Sequence, residues 1–450
     1  ELSIKDLLGG MIQIKSVRLT GGELLLDNYT PLTPEEMEGI PPVVDSLKLS
    51  DNWIDPFLEK NTRLNVSDFH IQIRHHVKNK RFVFQVHELA SDIEFTQEAI
   101  ATRTTLDVDI EGLGFNLENG SFVDGARARG TLESVFDRSR KQLDINSFPL
   151  ELGDQVFDTS AKLNFMGLGT FDIALENDKT QFSSTMALLT ENIREKFSAI
   201  ALEGPLSTRT RLEGSFYYKN NPRIAVRFQS EDNTAVFESG KKLTEMKFSG
   251  EFTNRLYADE RDEPESPKNF RIQLPELQGR FRDFALQVRD MELTSSPDAE
   301  NALIARVSAS GSPESLNNLV TDQHWSFQGG QLEFISEIDV NGLNMIEILS
   351  TARSTFTLQD TRVINNDNGV SLPVSAISLA IEDNRATLER LSIEVKPGQD
   401  LLVQAGFSNF SNLFGDNSKA AAHSEFRITS ENLIWEDYIQ LFETTSSGRK

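Results

Sequence analysis

The chain contains no cysteine. That absence removes disulfides, thiolate zinc sites, iron–sulfur clusters and cysteine nucleophiles together. It is compatible with an oxidising compartment without requiring one. Positive charge is scarce: 45 Lys and Arg stand against 69 Asp and Glu, a net charge of −24. Such a surface repels phosphate backbones, so nucleic acid is not an expected partner, nor is an anionic membrane surface held by charge. Tyr and Trp are few, 5 and 3, against 30 Phe. Tyr and Trp carry the polar handle that suits polar ligands. A Phe-rich surface suits apolar contents, although Phe is also an ordinary core aromatic. No run approaches the roughly 20 apolar residues of a membrane-crossing helix. The chain opens at Glu1 rather than Met, and the expectation is a removed N-terminal segment that held any signal or anchor.

Enzyme signatures are also missing. There is no G-x-S-x-G elbow and no Walker loop; "SGKK" at 239–242 lacks the upstream glycine and the Ser/Thr. "GLG" at 112–114 and 167–169 sits in strand patterns with no helix after it, which argues against a dinucleotide site. Among so many carboxylates some pairs are adjacent by chance, so acid count alone supports no hydrolase. Neither catalysis nor a cofactor is expected.

What is present is period-two alternation. Phe171, Ile173 and Leu175 alternate with polar residues, as do Ile224, Val226 and Phe228, and Leu332, Phe334, Ile338 and Val340 lie on one phase. This is the pattern of strands with one buried side. Turn signals punctuate it: "VKNK" at 77–80, "YKNNP" at 218–222, "NNDNG" at 365–369 and "EDNR" at 382–385. By length, 450 residues suggest about three domains, but long all-β chains often stay continuous.

The alternation slips at intervals, as apolar-x-apolar-x-x-apolar-x-apolar. It does so at Ile12, Ile14, Val17, Leu19; at Leu64, Val66, Phe69, Ile71; at Val108, Ile110, Leu113, Phe115; at Leu286, Val288, Met291, Leu293; and at Leu372, Val374, Ile377, Leu379. At 100° per residue a helix scatters these positions round its axis. A strand with one extra residue, a β-bulge, returns them to one side and bends. A tight link between two short strands is the other reading. Repeated bulges curl a sheet.

One slip carries a second reading. In "LDVDIEGLGFNLEN", Asp107, Asp109, Glu111, Gly112 and Glu118 match the spacing of a calcium loop. The flanks alternate like strands where that loop needs helices, and the same slip at Ile12–Leu19 carries no acids. The strand reading is therefore preferred, with Asp107 and Asp109 on the polar side and Glu111 at the bulge. His70, His75, His76 and His87 cluster around one hairpin. His70 and His76 share its polar phase, whereas zinc needs three or four ligands converging on a point. No metal is expected at either place.

The acidic, proline-bearing stretch 258–267 divides the chain. Residues 1–257 form an N-terminal part with an irregular, Pro-rich insertion at 30–62; residues 268–442 form a C-terminal part; 443–450 read as a disordered tail. Helical patterns are limited to 189–197, 312–320 and 431–442. "LDVDIEGLGFNLEN" (106–119) is faintly echoed by "LNFMGLGTFDIALEN" (163–177).

The stretches "GGMIQIKSVRLTGGELLL", "LEGPLSTRTRLEGSFYYKNNPRIAVRF" and "ENLIWEDYIQLF", with the strand-rich texture between them, resemble the AsmA-like family of Gram-negative envelopes, the wider group that includes TamB. The resemblance implies a mainly β fold, a long, highly twisted and bulged antiparallel sheet curled into an apolar groove, with a few short helices. It implies an inner-membrane anchor helix upstream, a periplasmic location, and carriage of phospholipid acyl chains toward the outer membrane, with an outer-membrane protein as a possible partner. The family has no catalytic residues to carry over. The expected lining is Ile12, Ile14, Val17 and Leu19; Val108, Ile110, Leu113, Phe115 and Leu117; Leu286, Val288, Met291 and Leu293; and Leu372, Val374, Ile377 and Leu379. The alternative is a structural or adhesion protein whose sheets close face to face as a sandwich.

Overall fold

The computed structural model describes residues 14–28, 58–215, 222–254, 269–295, 301–318, 324–409 and 423–436, apart from a few one- or two-residue gaps within them. The fold is mainly β, with 22 strands assigned to one mixed sheet and almost no helix. Contacts divide the chain into two units. The first holds Glu1–Ser230, Val236–Ser239 and Phe252–Pro267; the second holds Glu231–Ala235, Gly240–Glu251 and Lys268–Lys450. The second unit thus also draws on two segments that precede the acidic stretch. That stretch, the tail and most of the 431–442 helical pattern lie outside the described residues.

In the first unit β1 (Ile14–Asn28) pairs in parallel with β2 (Leu58–His75), so the sheet is mixed rather than antiparallel throughout as expected; the 29–57 stretch between the two strands is long enough for the return that a parallel pair needs. An antiparallel meander follows through β3 (Lys80–Phe95), β4 (Ala99–Gly114), β5 (Ala126–Asp137), β6 (Gln142–Leu152), β7 (Gln155–Asn164) and β8 (Thr170–Thr180). After helix α1 (Phe182–Ala187) and the short β9 (Ile200–Leu202), β10 (Leu206–Ser215) pairs with β8 and with β11 (Arg223–Phe237). The irregular insertion is shorter than its composition suggests, because residues 58–62 already belong to β2.

The second unit includes most of β12 (Lys242–Thr253). Its meander runs through β13 (Phe270–Phe281), β14 (Phe284–Ser295), β15 (Ala302–Gly311), β17 (Gln331–Asn341), β18 (Arg353–Asn365), β19 (Ser371–Glu382), β20 (Arg385–Lys396), β21 (Gln399–Ser408) and β22 (His423–Ser430). The short β16 (Trp325–Gln328) also pairs with β18. Gly330 sits between β16 and β17 with φ of 86°, where a Cβ would run into Gln359 O and the Thr361 hydroxyl, so no side chain fits there. Helix α2 (Met345–Thr351) joins β17 to β18. Neither α1 nor α2 falls on an expected helical pattern; of those patterns, 312–320 forms a 3-10 segment at Pro313–Asn318, and within 189–197 Glu191, Arg194 and Glu195 are helical.

Three of the turn signals fall between paired strands; the one at 218–222 lies outside the described residues apart from Pro222. "EDNR" closes β19–β20 with Asp383 and Asn384 both at positive φ, as a two-residue hairpin turn requires. β2 and β3 meet around "VKNK", with His75 opposite Lys80. The internal echo is not structural. Gly112 and Gly114 lie inside β4, whereas Gly167 and Gly169 both take φ of 58° in the β7–β8 turn.

The slips are bulges. In β4, Gly112 opposes Val83 and Ile110 opposes Phe84, so Glu111 is the extra residue. In β2 the skipped residue is Asp68, opposite the skipped Gly21 of β1 and His87 of β3. In β14 it is Asp290, opposite Pro275 of β13. In β19 it is Ser375, opposite Asp360 of β18. At β1 the pairing shifts between Ile14 and Ser16.

Candidate functional site

Residues directly opposite each other in a sheet project to the same side, so the register shows which apolar residues share a surface. In the first unit Leu24, Ile71, Phe84, Ile110 and Ala126 form one row across β1–β5. Leu26, Ile73, Phe82 and Leu113 form the next, and Phe69, Val86, Val108, Ala128 and Leu152 another. Leu19, Val66, Leu89 and Leu106 form a fourth, and Val17 stands opposite Leu64. Val108, Ile110, Leu113, Val17 and Leu19 therefore share one side, as their spacing predicts. Ile12 lies outside the described residues, and of Ile14 only the backbone is described.

Two residues of this group have left the strand. β4 ends at Gly114. Leu117 begins a 3-10 turn and folds back over Gly114: a Cβ on that glycine would lie 2.6 Å from Leu117 Cδ2. Gly114 alternates with Leu113, so Leu117 covers the opposite side and is not in the row. The absence of side chains at Gly112 and Gly114 admits Ser121 and Leu117 at this close approach. Phe115 stays on the apolar side but as a stopper. Its ring lies 5.2 Å from Phe82 of β3, 5.8 Å from Phe171 of β8 and 6.3 Å from Phe122. β3 and β8 are far apart in the pairing order, so the first unit curls until they share one ring between them. Lys80 Nζ donating to the Ser215 carbonyl of β10 at 3.4 Å and Val123 N–H donating to Leu188 O at 2.8 Å fix the same curl.

In the second unit Leu286, Ala309, Phe334, Phe356, Leu379, Leu388, Ala405 and Phe426 form one row from β14 to β22. Leu332, Leu358, Ile377, Leu391, Val403 and Ile428 form another. Val288 opposes Val307, Met291 opposes Leu274, Leu293 opposes Leu303, Leu372 opposes Val363 and Val374 opposes Ile393. Every member of the second-unit lining thus falls on an apolar pairing, except that Val374 also meets Thr361.

Burial along these rows is uneven. Val86 is 3% exposed, while Leu24 is 41% and Leu26 49% exposed at the β1 end. In the second unit Leu358 and Val374 are buried, while Phe426 is 64% exposed on β22. Among the described residues, β1 pairs only with β2 and β22 only with β21.

The other side of the sheet is ionic. Arg63, Asp92, Arg103 and Glu133 stand in direct register across β2–β5, with Arg63–Asp92 at 2.7 Å. In the second unit Arg306–Glu337 and Arg353–Glu382 pair at 3.6 and 2.8 Å. Exposed pairs of this kind contribute little stability each; they keep that side wet.

The calcium-like acids belong to this ionic side. Asp107 accepts two bonds from Arg127, at 2.6 and 2.7 Å, and one from Arg129 at 3.3 Å. The Arg127 guanidinium is the largest cause holding the Asp107 carboxyl down at about 2. Asp109 takes His87 Nε2 at 2.6 Å, and Glu111 is the exposed bulge. His76 goes to Asp27 instead, at 3.3 Å. Among the described residues no cluster of three or more His, Asp or Glu is arranged to hold a metal.

One feature lacks a sequence signal: hydroxyls in the apolar phase at one end of the first unit. Ser91 opposes Thr104, their oxygens 2.8 Å apart, and Thr102 opposes Ser134 at 2.7 Å. Thr62 lies in the same end row through Ile93. In the sequence these positions read as lapses in alternation. An open cleft of about 940 Å3 lies mainly on the ionic side, lined there by Ser16, Arg18, Arg63, Asp92, Arg103 and Glu133, with Thr62, Thr102 and Ser134 also on its lining.

No protein-family model, curated protein or solved structure matches the chain. Among the described residues no helix is long and apolar enough to cross a membrane, which leaves membrane crossing by strands unaddressed.

Proposed function

We propose that the protein is a non-enzymatic lipid carrier of the AsmA-like kind, which holds phospholipid acyl chains against the apolar side of its sheet. In this reading it works in the periplasm, attached to the inner membrane by a segment upstream, and hands lipid toward the outer membrane, where a protein partner receives it. One observation carries the reading. The apolar residues of both units line up in continuous cross-strand rows, and those rows stay open to solvent where they reach β1 and β22. Contiguous exposed apolar surface of this kind marks a binding surface. Acyl chains need no polar anchor along the rows.

The rival, an envelope structural protein with a closed core, has its own support. Ala128, Leu152 and Phe157 are buried together, with Leu106, Ile110 and Leu175 packed on them. Photo-crosslinking residues placed at Leu24, Leu286 and Asp109 in cells separate the two. The carrier gives phospholipid adducts at Leu24 and Leu286 and none at Asp109. Adducts at none of the three, from a folded protein, refute it.

A further inference from the structure

We infer that the protein forms a two-fold dimer through the edge of β1, with β1 of a second copy added to the sheet as its antiparallel neighbour. The inference goes beyond the carrier reading and stands whether or not lipid is bound. Among the described residues β1 is hydrogen-bonded on one side only, to β2, so its other row of N–H and C=O groups is open. Natural sheets guard such edges with prolines, charges or very short strands. β1 runs for 15 residues without a proline, and from Leu19 to Leu26 its only charge is Glu23. Every residue from Arg18 to Asp27 is exposed. Leu25 is 51% exposed on the ionic side, between Leu24 and Leu26 on the apolar side. A run of exposed leucines facing both ways at the rim of a sheet is a fault unless something covers it.

The strand is complementary to itself. Gly21 is skipped in the register with β2. With that bulge set aside in both copies, a dyad through Gly22 places Leu19 opposite Leu24 of the second copy and Val17 opposite its Leu26. All four lie on the apolar side, beside Val66, Ile71, Leu64 and Ile73 of β2. On the ionic side Thr20 meets Glu23 of the second copy and Ser16 meets its Asp27. Sliding by one residue would turn the apolar side of the second copy to the wet face. Sliding by two would leave Leu19 opposite a glycine. Pairing from Ser16 to Asp27 makes about ten backbone hydrogen bonds, the number a typical interface carries.

Charge favours the same partner. Arg18 has no ion pair among the described residues. In the dimer it stands between Glu23 and Asp27 of the second copy on the diagonals, within reach of a long side chain. The dyad repeats the cluster, so both copies gain it. Gly22 suits the axis because a Cβ there would lie 2.6 Å from the Phe69 ring of β2. The ring already covers that spot, and one Phe69 from each copy flanks the glycine pair. The same edge is used twice, so the contact closes and stops at two. The apolar side stays open as a face, and the Leu24 row runs on into the Leu19 row of the second copy.

Sedimentation velocity on the 450-residue chain should show a dimer at micromolar concentration. Arg18→Glu sets like charges against Glu23 and Asp27 and should weaken it about tenfold or more. Mixing Arg18→Glu with Glu23→Arg should restore it, because the hybrid re-forms every Arg–Glu contact. The chain has no cysteine, so oxidation reads the register directly. Leu19→Cys should join Leu24→Cys, or Thr20→Cys should join Glu23→Cys, one of these neighbouring pairs being the closer, non-hydrogen-bonded kind. No variant should join itself: two Leu24→Cys positions sit four pairing steps apart, roughly 13 Å, beyond a disulfide. A monomer at every concentration overturns the inference, and phospholipid bound by that monomer leaves the carrier reading standing. Species that grow past the dimer mean that β1 joins a different edge, which also overturns it. So do Leu24→Cys chains that join each other.

Discussion

The substitution Leu24→Asp tests whether the apolar rows face water or a sealed core. Leu24 lies in the row with Ile71, Phe84 and Ile110 and is 41% exposed. Full burial of a leucine contributes about 1.5–3 kcal/mol. Losing the buried part of this one costs about 1 kcal/mol. A carboxylate on a side chain this exposed keeps most of its water, so the several-kcal/mol penalty of an unpaired buried charge does not arise. Val86→Asp is the control. Val86 is 3% exposed in the neighbouring row, and a carboxylate there costs about 4 kcal/mol or more. Urea unfolding followed by circular dichroism reads both. The expectation is a small shift in midpoint for Leu24→Asp, with less phospholipid retained in native mass spectrometry, and a collapse of the fold for Val86→Asp. If Leu24→Asp destabilises as severely as Val86→Asp, the β1 end of the rows is sealed and the open-groove reasoning fails.

Three further outcomes follow. Asp107, with a folded pKa of about 2 against ~3.9 unfolded, contributes stability that is complete above about pH 4 and lost as pH falls through about 2. With Arg127 partly solvated, Asp107→Asn should remove about 1 kcal/mol of it, flattening the acid limb of a stability-versus-pH curve; an unchanged limb would mean the pair is screened out. Deleting Glu111 should leave Ile110 and Leu113 on the same side, because Val83 already opposes Gly112 and Phe84 opposes Ile110. The protein should fold but release the Phe115 stopper, raising quenching by external iodide of a fluorophore attached at the exposed Arg81→Cys; an aggregated product would show that the bend itself is needed for folding. Asp290→Val should cost about 1–2 kcal/mol, since a β-branched residue resists the φ of 50° found there, whereas Asp290→Gly should cost nothing. Equal melting temperatures for the two would contradict a left-handed residue at that position.

The strand content and the side-facing of the rows are legible because period two is a local property. Leu286, Val288, Met291 and Leu293 need only their own spacing to be placed on one side. What local pattern does not contain is where a strand stops. Phe115 and Leu117 continue the alternation perfectly, yet the chain leaves the sheet at Gly114, because the next strand pairs with β4 only as far as Ile110 opposite Ala126. The stopper is invisible for the same reason: its partner Phe171 lies on β8, and the curl that joins them is a long-range property. Likewise Ser91 and Thr104 are unremarkable singly and become a pair only through register. The helices α1 and α2 are only six and seven residues long, too short for an apolar period to stand out from the strands around them, and α1 has no side-chain cap.

The slips themselves carry a finer code than spacing. Asp68, Glu245, Asp290 and Asp360 all sit inside strands at φ between 50° and 53°. Their contexts are V-S-D-F, L-T-E-M, V-R-D-M and L-Q-D-T: an apolar residue, one polar residue, then the acid. Left-handed backbone disfavours most side chains, and Asp tolerates it because its short polar group can bond locally. At these positions the acid also points to the wet side, where its charge stays hydrated. The bulges are not isolated within one strand. Gly21, Asp68 and His87 are skipped in register across β1, β2 and β3, and Asp360 faces Ser375 in the same way. A bulge in one strand alone would throw its neighbours out of register, whereas aligned bulges bend adjacent strands together and keep the rows of apolar residues continuous. Curvature and row continuity therefore come from the same residues. A sequence that writes an acid two places after an apolar residue, at matching positions in successive strands, specifies a curled sheet whose apolar rows run on across the bulge, which is the geometry the proposed carrier requires.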